Sequence, residues 1–506
     1  VPTASAPVVA RLIEAGALLL GKANLDQFAT GLVGTRSPYG AVPNAFNPDY
    51  VSGGSSSGSA TLVARGIAAF SLGTDTAGSG RVPAAFNNLV GLKPTRGWFS
   101  TRGVVPACRS LDCVSVFAHT LEDAEVVAAV LGRFDAEDPF ARPAPAVMGT
   151  RRLPPAPRLG VPAAPRFCGD AAAEAAFGEA CSRLEALGAT LVPLDFAPLH
   201  ALADLLYEGP WVAERQAAIS AFLSRPGVTM HPVVQAIIGR ADDFSAADAF
   251  RADYHRAELV RAAEQQMASV DALVVPSTPT IHTQAAVAAE PVLLNTQLGT
   301  YTNFVNLMDG CALALPTGFR GDGLPTGVTL IAPAWHDIAL LDFGRRWQRA
   351  HPWPLGVSGR LPSPPPQRAA APGPATVRLA VVGAHLSGMP LNYQLTERAA
   401  VFVEATQTAD DYRLYALPGT VPPKPGLIRG ADGAAIQVEL WDMPVEAFGS
   451  FVALIPAPLG IGTLQLADGR EVKGFICESW AATGALDITH FGGWRAYMAH
   501  ERARAA

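Results

Sequence analysis

Two serines set in glycine-rich turns constrain this chain more than any other feature. They lie in Gly53-Gly54-Ser55-Ser56-Ser57-Gly58-Ser59 and in Gly73-Thr74-Asp75-Thr76-Ala77-Gly78-Ser79-Gly80-Arg81. Glycine admits positive φ and close backbone approach, so consecutive amides can converge on one point. Convergent amides are what the tetrahedral intermediate of acyl transfer needs, each such donor contributing about 3 kcal/mol in other hydrolases. The apolar segment between the turns reads as a helix over Ala60–Arg65 and a strand over Ile67–Leu72, which would bring both turns to one sheet edge, where two serines could relay a proton. Gly54-Ser55-Ser56-Ser57-Gly58 also satisfies the esterase elbow Gly-x-Ser-x-Gly, with Ser56 as nucleophile. An elbow follows a buried strand, whereas Ala45–Ser52, with Pro48 and Asp49, reads as loop; a merely flexible turn is the other alternative.

At 506 residues and 49% hydrophobic content, the chain can bury large cores in two or three domains. No apolar run reaches the roughly 18–20 residues of a membrane helix, and a net charge of −6 supplies no basic field for nucleic acid. Small-molecule partners are favoured. The six cysteines lack paired metal-ligand spacing and suit reduced thiols in the cytoplasm; His119, His200, His231 and His255 form no ligand set. Helix signals fall on Ala6–Gly16, Leu121–Leu131, Ala172–Leu187 and Phe250–Val270, and strand signals on Ala17–Leu20 and Ala272–Val275. These predict a parallel or mixed sheet covered by helices over 1–351, a Pro-rich linker over 352–376, and a smaller α+β domain over 377–506. In that domain Ile436–Trp441 and Phe451–Ile455 read as β-rich runs.

The paired Gly/Ser motifs resemble the amidase signature family, whose Ser-cisSer-Lys triad occupies such a stretch. The resemblance implies Ser79 as nucleophile, Ser55 as the bridging serine held by a cis peptide bond, and Thr76, Ala77, Gly78 and Ser79 as the oxyanion-hole turn. Asp75 and Arg81 read more simply as a buried pair bracing that turn. The family's lysine sits in a Lys-Asp-Asn-like motif upstream, which this sequence lacks. Lys22 and Lys93 match other, structural segments, and the remaining lysines are Lys424 and Lys473. Because the chain opens at Val1 without an initiator methionine, the expectation is that an N-terminal segment carrying the base is missing and that the chain as written is inactive or slow.

Leu206-Tyr207-Glu208-Gly209-Pro210-Trp211-Val212-Ala213-Glu214-Arg215, with Ala29–Gly40 and Leu298–Leu307, resembles the allophanate hydrolases, a subclass of these amidases. A planar guanidinium pairs with a carboxylate through two parallel hydrogen bonds, so the resemblance implies that Arg215 binds the carboxylate of allophanate, with Tyr207 orienting the amide and Gly31 making a backbone contact. Without it, Tyr207 and Arg215 read as a packed aromatic and a surface arginine. It further implies ammonia release without metal or organic cofactor, N-carboxycarbamate as product, a homodimer, and association with urea carboxylase. Val382–Asn392 and Phe491–Tyr497 resemble the C-terminal domain of the same enzymes, with a fold like the γ-glutamylcyclotransferases. His385 is its candidate for decarboxylation, a buried structural histidine being the alternative. Other functions stay open: another amidase, one component of a transfer-RNA amidotransferase, or a non-catalytic assembly module.

Overall fold

A computed structural model describes residues 4–362 and 376–505. They form two compact units, one of residues 4–148 with 152–362, the other of 149–151 with 376–505. The first unit holds eight strands: β1 Phe70–Asp75, β2 Val90–Lys93, β3 Cys113–Ala118, β4 Arg158–Pro162, β5 Thr190–Leu194, β6 Ala272–Pro276, β7 Gly310–Phe319 and β8 Pro325–Pro333. They join one sheet in the order β1-β3-β2-β7-β8-β6-β4-β5. The β4 pairings with β5 and β6 are parallel and the rest antiparallel, so the sheet is mixed. Strand β6, Ala272-Leu273-Val274-Val275-Pro276, is an unbroken apolar run buried along its whole length, as a strand covered on both faces requires.

The helices of this unit include α1 Pro7–Glu14, α2 Ser57–Ala64, α3 Val82–Phe86, α4 Leu121–Leu131, α5 Ala171–Ala186, α6 Ala197–Glu208, α7 Trp211–Leu223, α8 Ala246–Met267 and α9 Asp337–Ala350. The Thr120 hydroxyl caps α4, Asp170 caps α5, and a Ser245–Asp248 capping box opens α8, each satisfying amides that a helix start leaves unpaired. The largest core lies between the sheet and α4, α5 and α9 and includes Leu121, Phe177, Phe343 and Trp347. Trp353 is built into it, its indole N–H donating 3.2 Å to the His119 carbonyl, so the packed part of this unit runs past 352. The Pro-rich stretch beyond falls largely on 363–375, outside the described residues. Ala17–Leu20 is not a strand: it runs as unpaired chain with Leu18, Leu19 and Leu20 exposed, because apolar residues alone supply no neighbouring strand to pair with.

The second unit has β9 Thr376–Val381, β10 Val401–Gln407, β11 Tyr412–Ala416, β12 Pro425–Arg429, β13 Gln437–Pro444, β14 Leu459–Gln465, β15 Glu471–Cys477 and β16 Leu486–Asp487. They make a five-stranded sheet, β10-β13-β9-β15-β14, and a three-stranded one, β12-β11-β16. Phe451 does not start a strand. It sits in the helix Val445–Val452, whose apolar spacing turns Phe448 and Phe451 to the core and outweighs the aromatic β-propensity of the run.

One buried ion pair fixes the end of β1. Asp75 and Arg81 are wholly inaccessible, and Arg81 Nε and Nη2 each donate 2.9 Å to a different carboxylate oxygen of Asp75. Burial pushes the Asp75 carboxyl up, but the charge and hydrogen bonds of Arg81 outweigh it and leave it below its ordinary value. Removing one partner strands the other charge in the core. Arg81→Met should therefore lower the stability of the first unit by about 3–5 kcal/mol, with part recovered in Asp75→Asn/Arg81→Met; guanidinium-chloride unfolding measures both.

Candidate active site

Helix α2 and strand β1 place the two serine turns side by side. The Ser56 hydroxyl donates to the Thr74 carbonyl and accepts from the Thr74 N–H, both at 3.1 Å, while the Ser59 hydroxyl donates to Leu72. Ser56 is thus consumed by strand β1, and among the described residues no strand precedes it, which removes the esterase-elbow alternative. Ser55 stands just before α2 with a cis Gly54–Ser55 peptide, buried, its Oγ without a hydrogen-bond partner. Gly54 admits no side chain: a Cβ there would lie 2.1 Å from Asp26 Oδ2 and 2.7 Å from the Gly34 nitrogen.

The turn from Thr76 to Arg81 wraps the Asp75 carboxylate, which accepts from the Gly78 and Gly80 amides at 2.9 Å each. The Gly78 N–H is committed to Asp75 and is not a free oxyanion donor; Gly78 contributes instead its φ of 131° and the lack of a Cβ, which would stand 2.4 Å from Thr302 Oγ1. Among the described residues no acceptor takes the N–H of Thr76, Ala77 or Ser79, so these are the donors that remain. Ser79 is 3% exposed.

Gly31, Tyr207 and Arg215 come together on the other side of the site. Arg215, in α7, is 2% exposed. Its Nη1 donates to Thr30 Oγ1 at 3.2 Å and to the Ala29 carbonyl at 3.4 Å, and its Nε and Nη2 have no partner. The Tyr207 ring lies under the guanidinium, 5.5 Å from Cζ to centroid, a cation–π arrangement. Gly31 is closed in: a Cβ would sit 2.6 Å from Asp26 Oδ2 and 3.1 Å from Arg36 Cδ.

Two buried carboxylates join these halves. Asp26 donates its N–H to the Ser55 carbonyl (3.0 Å) while its side chain accepts from the Gly34 (3.0 Å) and Arg36 (2.8 Å) amides. Asp112 accepts from the Thr76 hydroxyl at 2.5 Å and from the Ala107 and Cys108 amides, and its charge is felt at Arg215. Glu214, beside Arg215, binds the Ser110 amide and hydroxyl, 2.7 Å each. Asp26, Arg36 and Asp112 carry no motif signature in the sequence. Only the proximity of Arg36 to Gly31 in the Gly31–Gly40 segment could have drawn attention to it.

Lys22 is exposed, and the Lys93 ammonium is held at 2.7 Å by the Pro94 and Gly310 carbonyls. His385 belongs to the second unit, where it lines a cavity of about 220 Å³ with Gln394, Lys424, Leu454 and Phe475. Its Nε2 lies 2.9 Å from Gln394 Oε1 and its ring stacks on Phe475. Burial lowers the His385 pKa; the Gln394 hydrogen bond opposes this and the Lys424 charge adds to it.

Burial pushes Asp112 up to about 6 from an ordinary 3.8, against the hydrogen bonds of Thr76, Ala107 and Cys108. A raised acid binds its proton more tightly when folded, so the associated stability is present below the unfolded value and lost as pH rises from about 4 through about 6. The Tm of Asp112→Asn relative to the unsubstituted chain should therefore rise between pH 5 and pH 7.5, as thermal melts would record.

The Amidase family model matches residues 1–341, and the model of the allophanate hydrolase C-terminal domain matches residues 377–499. The chain is 46% identical to Kluyveromyces lactis allophanate hydrolase, with a TM-score of 0.75 over 99% of this chain and 84% of that one. It is 47% identical to the urea amidolyase of Lachancea kluyveri over 98% of its length, but spans only 28% of that relative. It is also 46% identical to the urea amidolyase of Saccharomyces cerevisiae, over 98% of this chain and 28% of that one. The chain therefore belongs to the amidase family, in the branch that joins the amidase unit to an allophanate hydrolase C-terminal domain.

Proposed function

We propose that this chain is an amidohydrolase that cleaves allophanate in urea degradation. The observation that carries the reading is Arg215: a buried guanidinium with Nε and Nη2 unpartnered, a Tyr207 ring against it, and Gly31 on the segment it binds. Two free nitrogens of a planar guanidinium suit the two oxygens of one carboxylate, and leaving charged donors buried and unpaired is costly unless a ligand takes them up.

In this reading Ser79 Oγ attacks the terminal amide carbonyl while Ser55, whose Oγ has no other commitment, relays the proton. The amides of Thr76, Ala77 and Ser79 surround the developing oxyanion. The C–N bond breaks, the nitrogen leaves as ammonia with the relayed proton, and water hydrolyses the acyl-enzyme to N-carboxycarbamate. No lysine here suits the terminal base: Lys22 is exposed, Lys93 is locked between carbonyls, and Lys424 and Lys473 lie in the second unit. His385, in its cavity beside Gln394 and Lys424, is the candidate to assist loss of carbon dioxide from the product. No helix among the described residues is long and apolar enough to cross a membrane, and all six cysteines are free thiols, which suits the cytoplasm. A second copy of the chain and the carboxylase that forms allophanate are the partners this reading implies.

Ammonia release from allophanate tests the proposal, measured for the chain and for a version extended at its N-terminus by a lysine-bearing segment. The expected result is rapid release in the extended form, abolished by Ser79→Ala, and slow or no release otherwise. Arg215→Met in the active form should raise KM by about 10- to 100-fold, the loss of one bidentate charged pair. No release in either form would overturn the reading.

A further inference from the structure

Arg215 is not the sole buried cation with free donors at this site. Arg36 is 1% exposed; its Nη1 donates to the Thr30 carbonyl at 3.1 Å and its Nη2 to the Pro291 carbonyl at 2.5 Å, while its Nε has no partner. The two guanidinium groups thus meet on one residue, Arg36 at the Thr30 carbonyl and Arg215 at the Thr30 hydroxyl. Between them they leave three nitrogens without an acceptor. The neighbouring acids face these cations electrostatically, Asp26 towards Arg36 and Asp112 and Glu214 towards Arg215, but their oxygens accept from other donors: Asp26 from the Gly34 and Arg36 amides, Asp112 from Thr76, Ala107 and Cys108, and Glu214 from Ser110. The other ionisable neighbours, Tyr207, Cys108 and His231, are not carboxylates. A carboxylate that reached both guanidinium groups would take up donors that these acids leave free.

We infer that Arg36 is a specificity-determining residue which, with Arg215, forms a two-guanidinium site selecting amides that carry a carboxylate over neutral amides of the same shape. The inference rests on the allophanate reading and deepens it: the carboxylate meets a pair of cations, of which the second also braces the Ala29–Gly31 segment. A role confined to bracing would weaken anionic and neutral ligands alike.

Binding separates the two and needs no turnover. The probes are malonamate, which replaces the central N–H of allophanate by a methylene, and its neutral diamide, malonamide, titrated calorimetrically into the full chain. The unsubstituted chain should prefer malonamate. Arg36→Gln should weaken malonamate at least about tenfold, the value of a charge-assisted hydrogen bond, and leave malonamide within about twofold. Arg36→Lys keeps the charge but not the Nε donor, and remains informative if the glutamine variant does not fold; it should bind malonamate more weakly than the unsubstituted chain while still preferring it to malonamide. Equal losses for both probes, or malonamate affinity unchanged in a folded Arg36 variant, would overturn the inference and leave the allophanate reading standing. An unsubstituted chain that binds neither probe would overturn both.

Discussion

A carboxylate cut off from water needs several donors at once, and Asp75 has four: two from Arg81 and two from the Gly78 and Gly80 amides. The shape of the Thr76–Arg81 turn follows from this. With alternate amides drawn inward to Asp75, those of Ala77 and Ser79 are left without internal acceptors, which converts a structural ion pair into a device for presenting donors. The same pair ties in a distant segment. Arg81 Nη1 donates to the Thr302 carbonyl, and Asn306 Nδ2 donates to the main-chain carbonyls of Asp75 and Leu111. The end of β1, the Thr302–Asn306 segment and the approach to β3 are therefore held as one body, so the position of Ser79 depends on contacts more than 200 residues apart in sequence as much as on its own turn.

Asp26 and Asp112 do for the Gly31 and Arg215 surroundings what Asp75 does for the Thr76–Arg81 turn. Burial raises both above the ordinary carboxylate range, opposed at Asp26 first by the Arg36 charge and then by amides, and at Asp112 by the Thr76 hydroxyl and the Ala107 and Cys108 amides. Such carboxylates are poor sources of net stability. Their value is positional: Asp26 couples the main chain at Ser55 to the loop that carries Gly31 and Arg36, and Asp112 couples Thr76 to the surroundings of Arg215. A displacement of either half of the site is transmitted to the other through a short, stiff chain of hydrogen bonds.

The legible part of this architecture was the part written in local chemistry. Glycines around Ser55 and Ser79, the apolar run of β6 and the spacing of α4 each encode their conformation within a few residues. Asp112, Arg36, Thr302 and Asn306 were not legible, because each works through partners brought in by the tertiary fold, and a single polar residue in an apolar or loop context looks the same whether it is solvated or engaged. Ala17–Leu20 and Phe451–Ile455 fail for the complementary reason. An apolar run states that burial is favourable, not that a strand partner exists, and the helix containing Phe451 reaches its core by period 3.6 in a segment whose composition favours a strand.

The buried cations show why burial alone does not mark a functional residue. Lys93 and Arg81 are as inaccessible as Arg36 and Arg215, yet Lys93 holds two carbonyls and Arg81 holds Asp75, Thr302 and Asn306. These are closed arrangements; nothing is left for a ligand to satisfy. Arg36 and Arg215 use only part of their fixed forks of donors, and the geometry of guanidinium prevents the remaining N–H groups from turning to the same acceptors. The free protein therefore carries an electrostatic cost concentrated at one place, beside a serine whose hydroxyl is also unpartnered. In the proposed reading, a ligand that brings a carboxylate and an amide together would relieve that cost at both ends, so the basis of specificity would be this coincidence of unsatisfied donors more than any one side chain.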